Sequence, residues 1–202
     1  MNIRSAKKEA GMPKTEEQFR QMRDDMRSRI LRESSLYFAK NGFGDTKISD
    51  LAKHIGIGQG TIYLYFKSKE ELFEEIRKNA DNTNEVKLIK ALAKLPLSAV
   101  AKIERISAEV IKKLEDEDYA VKITIYTQLL LEQDSGLYKS EMYEALAGII
   151  KKGQKEGRLV KGDPLMLADL YWGTVYLYAL KKLFIKDFKM IDKSTLCHLL
   201  EG

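Results

Sequence analysis

The chain has 202 residues, of which 44% are hydrophobic and 32% charged, and its formal net charge is +5. This composition suits a soluble globular protein and argues against a disordered chain, while the length allows one ordinary domain or a small domain joined to a larger one. The single Cys197 excludes an internal disulfide framework and favours a reduced, cytoplasmic setting.

No metal site, cofactor or membrane segment is expected from the sequence. The two histidines, His54 and His198, lie far apart and do not make a metal site by themselves. The N-terminal residues lack the apolar core of a signal peptide, and the stretch 165–185, which comes nearest to a membrane span, is interrupted by one acidic and two basic residues.

The positive charge is concentrated in the first part of the chain. Residues 1–80 hold 16 Lys and Arg against 12 Asp and Glu, whereas residues 81–202 hold 19 against 18. This excess favours an N-terminal part that binds a polyanion, although an ordinary solvated basic surface explains it about as well.

The N-terminal part predicts an arm followed by helices. Residues 1–22 mix charges of both signs without a clear apolar stripe, which is typical of a flexible arm or a loosely held helix extension. A first helix is predicted from about residue 23 to 41, where a glycine follows. A second, short helix has Asp45 or Thr46 as its N-cap and ends at Gly56.

Two more helices complete this part. A third helix is predicted over about 59–65, and the pattern Ser68-x-x-Glu71 predicts a capping box that opens a fourth. Two short helices joined by a glycine-containing turn are the sequence form of a helix-turn-helix. Residues 23–80 are therefore predicted to form a three-helix DNA-binding domain of this type, followed by a linker helix.

Residues 81–202 predict a second helical domain. The expected helices cover about 84–94, 97–115, 119–132, 138–155, 164–185 and 193–200. Because no unit of 20 to 50 residues repeats, this domain is expected to be a bundle rather than a solenoid. The predicted fold class of the whole chain is all-α.

The predicted third helix has an inner and an outer side. Ile62 and Phe66 are four residues apart and share the face that packs on the two preceding helices. Gln59, Gly60 and Thr61 remain at the N-terminal end and outer side. Small and polar residues there would let the helix enter a DNA major groove and contact base edges.

Neighbouring tyrosines and lysines suit phosphate contacts. Tyr63 and Tyr65 point to different sides of the helix, and a phenolic hydroxyl on a rigid ring reaches a phosphate oxygen at little cost in entropy. Lys67 and Lys69, with free N–H groups at the start of the fourth helix, would add further contacts. The alternative is that both tyrosines are ordinary half-buried aromatic residues.

One ungapped pattern carries a family resemblance. It consists of Phe38-Ala39-x-x-Gly42-Phe43, then Thr46-Lys47-Ile48-x-Asp50-Leu51-Ala52-x-x-x-Gly56-Ile57-x-x-Gly60-Thr61-Ile62-Tyr63-x-Tyr65-Phe66, then Lys69-Glu70-Glu71-Leu72. This pattern resembles the DNA-binding domain of the TetR (tetracycline-repressor-like) family of bacterial transcription regulators. The resemblance implies phosphate contacts from Thr46, Tyr63, Tyr65 and Lys69, and base contacts around Gln59, Gly60 and Thr61.

Lys47 and Lys67 complete the predicted DNA-binding set. The sequence has Gly58-Gln59 where many family members have a serine or threonine followed by a lysine or arginine. A weaker cap is therefore expected at the start of the third helix. The resemblance also implies repression, which is the commonest mode in the family, and a C-terminal domain for ligand binding and dimerisation.

The helix predicted over 164–185 is apolar on every side. A helix of this kind must be buried all round, and one side can face its own domain while the other needs a partner. With residues 193–200 as neighbour, a two-fold homodimer is the favoured solution. Such a dimer would bind a palindromic operator in double-stranded DNA.

Aromatic residues in the same domain suggest a pocket for a small, largely apolar effector. The predicted lining residues are Tyr119, Tyr126, Gln128, Trp172 and Tyr176. For any one of them, a place in the core or in the dimer interface is the simpler explanation.

Two other functional classes compete with a regulator. An enzyme is disfavoured because His54, Cys197 and His198 do not form a convergent nucleophile and base, and no glycine-rich phosphate loop is present. A helical protein-interaction module without DNA binding remains the alternative.

Overall fold

A computed structural model describes residues 15–80, 83–132 and 140–202. Within these ranges the chain is helical, and its β-type pairing is limited to an isolated antiparallel bridge between Leu159 and Glu201. The predicted all-α fold is confirmed. The helices are α1 (Glu16–Asn41), α2 (Ile48–Ile55), α3 (Gln59–Tyr65), α4 (Lys69–Asn79), α5 (Thr83–Lys94), α6 (Ala99–Leu114), α7 (Glu117–Glu132), α8 (Glu141–Lys155), α9 (Pro164–Phe184) and α10 (Lys193–His198).

Helix α1 begins at Glu16, earlier than the predicted start near residue 23. Its N-cap is Thr15, whose hydroxyl accepts a hydrogen bond from the Gln18 N–H at 3.3 Å. The Gln18 side chain accepts one from the Thr15 N–H at 2.9 Å in return. This capping box satisfies N–H groups that a helix start leaves unpaired. The remainder of the predicted arm, residues 1–14, lies outside the described residues.

Helices α1, α2 and α3 share an apolar core. Ile30 and Phe38 of α1, Leu51 of α2, and Ile62 near the middle of α3 are each at most 2% exposed, as is Phe66 directly after α3. The predicted inner face of α3 is therefore confirmed, and the opposite face is left towards solvent.

Two glycines end the first two helices, as the sequence predicts. Gly42 follows α1 with φ 77°, and Gly56 follows α2 with φ 76°, a region that residues with a Cβ enter only at a cost. The Gly56 N–H donates to the Lys53 carbonyl, and the Ile57 N–H donates to the Ala52 carbonyl at 3.0 Å. These bonds close the tight turn between α2 and α3.

The prediction that Asp45 or Thr46 caps α2 is wrong. Lys47 occupies the N-cap position, and no side chain caps the helix. Thr46 is buried instead, and its hydroxyl donates a hydrogen bond to the Gly42 carbonyl at 2.7 Å. Thr46 thus stabilises the loop between α1 and α2 rather than the first turn of α2.

Helices α8 and α9 form the centre of the second domain, with α5, α6 and α7 packed around them. Leu146 and Ile150 of α8 and Tyr171 and Val175 of α9 are at most 1% exposed. Helix α7 also packs against α1 and α4. It therefore connects the second domain to the helix-turn-helix.

One side of α9 is exposed in the single chain. The exposed apolar residues, here called the α9 stripe, are Met166, Leu170, Leu177 and Phe184, each 47–57% exposed. The other side is buried in the same chain, as expected for a helix that is apolar all round. None of the helices in the described ranges, α9 included, combines the length and apolarity needed to cross a bilayer.

Helix α10 packs on α6 of its own chain. Its apolar residues Leu196 and Cys197 are buried there. The Cys197 thiol donates a hydrogen bond to the Ser107 hydroxyl at 3.4 Å, and Ser107 shares a bond of 2.9 Å with the Tyr171 hydroxyl. These three residues form a polar chain that links α10, α6 and α9.

Candidate nucleic-acid interface

Two arginines of α1 contact the residues that flank α3. The Arg27 guanidinium lies 5.0 Å from the centroid of the Phe66 ring and pairs with Glu75 of α4 at 3.1 Å. Arg29 donates a hydrogen bond to the Ile55 carbonyl at the end of α2, at 2.7 Å. Sequence reasoning missed both arginines, because their partners are distant in the chain and no local pattern indicates them.

The outer side of α3 carries the residues predicted to contact bases. Gln59 and Gly60 are exposed, and Thr61 is half-buried. A Cβ placed on Gly60 would have no heavy atom within 4 Å. Gly58 provides no side-chain cap, as predicted. The main chain of α3 is therefore open to close approach by another molecule at Gly60.

A groove of about 520 Å³ brings together six of the nine predicted DNA-binding residues. The ends of α2 and α4 and the outer side of α3 form this α3 groove. The six residues are Thr46, Lys47, Gln59, Tyr63, Lys67 and Lys69. The other three, Gly60, Thr61 and Tyr65, lie on α3 beyond the groove lining. Ser49, which sequence reasoning did not select, also lines the groove next to Lys47.

Lys69 has partners inside the chain. Its ammonium donates hydrogen bonds to the carbonyls of Phe43, Gly44 and Thr46 at 3.1, 3.4 and 3.1 Å. It also lies 4.4 Å from the centroid of the Phe43 ring. All three N–H donors of the ammonium thus have acceptors. Like the Thr46 hydroxyl, this group holds the α1–α2 loop, and the phosphate contact that the resemblance implies for it stays a prediction.

The start of α4 is capped by its own side chains. The Ser68 hydroxyl accepts a hydrogen bond from the Glu71 N–H at 3.1 Å, as the predicted capping box requires. The Glu71 carboxylate accepts one from the Lys67 N–H, one residue before the expected position. Main-chain and Ser68 hydrogen bonds lower the pKa of Glu70, so a negative charge lies at this helix end. The N–H groups expected to be free for phosphate are therefore partly occupied.

Within the described part of the chain, the residues predicted to line an effector pocket lie at several places. Tyr119 and Trp172 meet at a cavity of about 10 Å³, together with Glu85 and Lys113. The Lys113 ammonium lies 3.5 Å from the Glu85 carboxylate and 5.5 Å from the centroid of the Tyr119 ring. The Trp172 Nε1–H is buried and finds no hydrogen-bond acceptor within the described part of the chain.

The other three predicted pocket residues lie elsewhere. Gln128 lines a cavity of about 100 Å³ between α7 and the helix-turn-helix, and its amide reaches the Ala39 carbonyl at 3.5 Å. The Tyr126 hydroxyl shares a hydrogen bond of 2.7 Å with Ser140. Tyr176 is half-buried on α9, and burial raises its pKa. In the described ranges, no three acidic, histidine or cysteine side chains come together as metal ligands would.

Comparison with known proteins identifies the family behind this architecture. The family model for "Bacterial regulatory proteins, tetR family" matches residues 30–76, from α1 into α4. The Fatty acid metabolism regulator protein of Bacillus subtilis (strain 168) is 31% identical over 150 residues, which is 68% of this chain and 73% of that protein. The chain belongs to the TetR family.

A further relative and a solved structure are also similar to this chain. YdgC of Bacillus subtilis (strain 168), an uncharacterized HTH-type transcriptional regulator, is 40% identical over 52 residues, which is 26% of this chain and 27% of that protein. A crystal structure of an HlyIIR mutant protein has a TM-score of 0.64 at 19% identity, and the match covers 89% of this chain and 98% of that one. The structural match supports the fold alone.

The relatives are transcriptional regulators rather than enzymes. The TetR-family chain is accordingly a DNA-binding regulator of the helix-turn-helix class.

Proposed function

We propose that this TetR-family regulator binds a palindromic operator in double-stranded DNA as a homodimer, represses transcription there, and is released by a small, largely apolar effector. The observation that carries this proposal is the α3 groove, where Lys47, Gln59, Tyr63 and Lys67 surround an exposed recognition helix. Residues 23–80 would bind DNA, and residues 81–202 would bind the effector and form the dimer. Because the operator lies on the bacterial chromosome, the protein would act in the cytoplasm.

The proposed contacts divide by chemistry. Gln59, Gly60 and Thr61 lie at the start of α3, which is the part of a recognition helix that contacts base edges. Four side chains beside them suit phosphate oxygens. These are Lys47, Tyr63, Tyr65 and Lys67. Thr46 and Lys69 would act indirectly, by holding the loop that positions α2.

The start of α2 offers a further phosphate site. Lys47 at its N-cap provides no side-chain cap, so N–H groups of the first turn have no side-chain acceptor, and this turn lines the α3 groove. The exposed Lys47 ammonium and the Ser49 hydroxyl lie beside them. Free N–H groups together with the positive end of the helix dipole attract a phosphate.

The α9 stripe supports the homodimer. Leu170, Leu177 and Phe184 recur every seven residues, which is the spacing of a seam between paired helices. Gly173 lies within the stripe, and a Cβ placed there would have no heavy atom within 4 Å, so a second helix can approach closely. A second copy of α9 is the partner that two-fold symmetry provides. Helix α10 would contribute only its polar outer side.

The effector would bind where Tyr119 and Trp172 meet. The unpaired Trp172 Nε1–H is a donor that a polar atom of the effector would satisfy. The described cavity of about 10 Å³ is far smaller than the several hundred Å³ of usual ligand pockets, so α5, α6 and α9 would have to separate on binding. Such a movement couples effector binding to the two recognition helices. The name of the Bacillus subtilis relative makes fatty-acid derivatives the first effectors to test.

The test is selection of bound sequences from a random DNA pool at a fixed salt concentration, since affinity depends steeply on salt. Recovery of a palindrome by the full chain supports a dimeric regulator and gives the half-site spacing. No enrichment with folded protein would contradict the proposal and support the interaction module. If saturating effector candidates never changed affinity for the selected operator, the effector part would fail separately.

A further inference from the structure

Leu64 is the most exposed large hydrophobic side chain in the described part of the chain, at 75%. It lies on α3, whose inner residue Ile62 is 1% exposed and which runs directly into Phe66, also 1% exposed. With the inner side of the helix fixed in the core, Leu64 is held outward. A seven-residue recognition helix thus presents a leucine side chain to solvent.

Single exposed leucines are common on protein surfaces and need no explanation by themselves. The position of Leu64 is what distinguishes it. Gly60 lies one helical turn earlier on the same face, and nothing lies within 4 Å of where its Cβ would be. The neighbouring Tyr63 is 46% exposed and lines the α3 groove. The face therefore has a bare main chain at Gly60 and an isobutyl group projecting beyond it.

The chemistry of the major groove limits which DNA groups the Leu64 side chain can contact favourably. Hydrogen-bond donors and acceptors occupy most base edges, and the apolar group that the groove offers is the C5-methyl of thymine. Leucine neither donates nor accepts hydrogen bonds, so it discriminates only through apolar contact. We propose that Leu64 contacts a thymine C5-methyl in each half-site and makes this methyl a determinant of operator choice. The inference rests on the proposed function, in which α3 enters the major groove.

The size of the effect follows from the burial of one methyl group. Removing it from an apolar contact weakens binding about fourfold, and about fifteenfold when both half-sites of a dimer lose it. Thymine and uracil differ by this methyl alone, so replacing one by the other leaves every hydrogen bond of the base pair in place. The substitution therefore isolates the apolar contact.

The experiment uses the operator selected from the random pool. Each thymine is replaced in turn by uracil, symmetrically in both half-sites, and the Kd is measured at fixed salt for the wild type and for Leu64→Ala. Two variants serve as controls. Thr61→Ser removes the methyl of the other residue on α3 that could make the same contact, and Leu131→Ala truncates a leucine 63% exposed on α7.

The expected result is one thymine whose replacement weakens wild-type binding about fifteenfold and leaves binding by Leu64→Ala unchanged. Leu131→Ala should keep the wild-type affinity and sensitivity. Thr61→Ser should keep the sensitivity at that thymine, even where loss of its own base contact weakens overall binding. Two results would overturn this inference alone. In the first, the wild type selects an operator but its Kd does not change when any thymine is replaced by uracil. In the second, Leu64→Ala loses as much affinity as the wild type when the same thymine is replaced. Failure of the wild type to select any sequence would overturn the proposed function and this inference with it.

Discussion

Replacement of Gly60 by alanine should affect stability and DNA binding in opposite directions. In the free protein the new Cβ meets no heavy atom within 4 Å, and Gly60 already has an ordinary helical conformation. Alanine in a helix is about 0.5–1 kcal/mol more favourable than glycine. At a close contact with DNA, however, an inserted methyl group must separate the surfaces, which costs about 1–3 kcal/mol by analogy with an overpacked core. The dimer incurs this cost twice.

Thermal unfolding and fluorescence anisotropy measure the two effects. For a chain of 202 residues, a gain of about 0.5–1 kcal/mol raises Tm by roughly 1–4 °C. Gly148→Ala is the matched control, because Gly148 is an exposed helical residue of α8 whose Cβ would likewise have no neighbour within 4 Å. It should raise Tm equally and leave the Kd for the operator unchanged, with the dimer confirmed by sedimentation.

Two outcomes would refute the reasoning about Gly60. A lower Tm for Gly60→Ala would show that the space around it is not open. A higher Tm with unchanged affinity would show that the main chain of α3 does not approach DNA at this residue, and base contact would then have to come from longer side chains.

Four further substitutions test separate parts of the structure. Leu177→Asp places a charge in the α9 stripe and should convert the dimer to monomer in sedimentation while the helical circular dichroism persists; an unchanged dimer would contradict the α9 seam. Lys47→Gln should lower the slope of log Kd against log salt by about 1 per protomer. Lys69→Gln should leave this slope unchanged and lower the free energy of unfolding by about 1–2 kcal/mol. The reverse pattern would show that Lys69 contacts a phosphate. Gly153→Ala brings a Cβ within 2.3 Å of Leu159 Cδ1 and should destabilise the fold by about 1–3 kcal/mol in urea unfolding, which a neutral result would contradict.

Local signals allowed most helix boundaries to be predicted. Gly42 and Gly56 end their helices through positive φ values, and Asp163 followed by Pro164 begins α9 as the pattern indicates. Each of these signals acts within one turn of the chain, so it is visible in the sequence. The outer and inner sides of α3 follow in the same way from the spacing of Ile62 and Phe66.

Roles that depend on distant partners could not be predicted. The Lys69 ammonium donates to carbonyls more than 20 residues away in the chain, so its N–H donors look free in the sequence although they have acceptors in the fold. The early start of α1 was missed because the Thr15 and Gln18 capping box lies in a segment without an apolar stripe. The small cavity beside Tyr119 and Trp172 depends on the packing of α5, α6 and α9, which no periodicity specifies.

Cys197, in the polar chain through Ser107 to Tyr171, can report local opening of the second domain without an added probe. Burial raises the pKa of the Cys197 thiol, and thiolate is the species that alkylating reagents attack. Labelling therefore requires the junction of α6, α9 and α10 to open, and each chain gains at most one adduct because Cys197 is the single cysteine. The rate at which Cys197 of the wild-type protein is alkylated, followed by mass spectrometry, would measure how operator or effector changes local opening of the second domain.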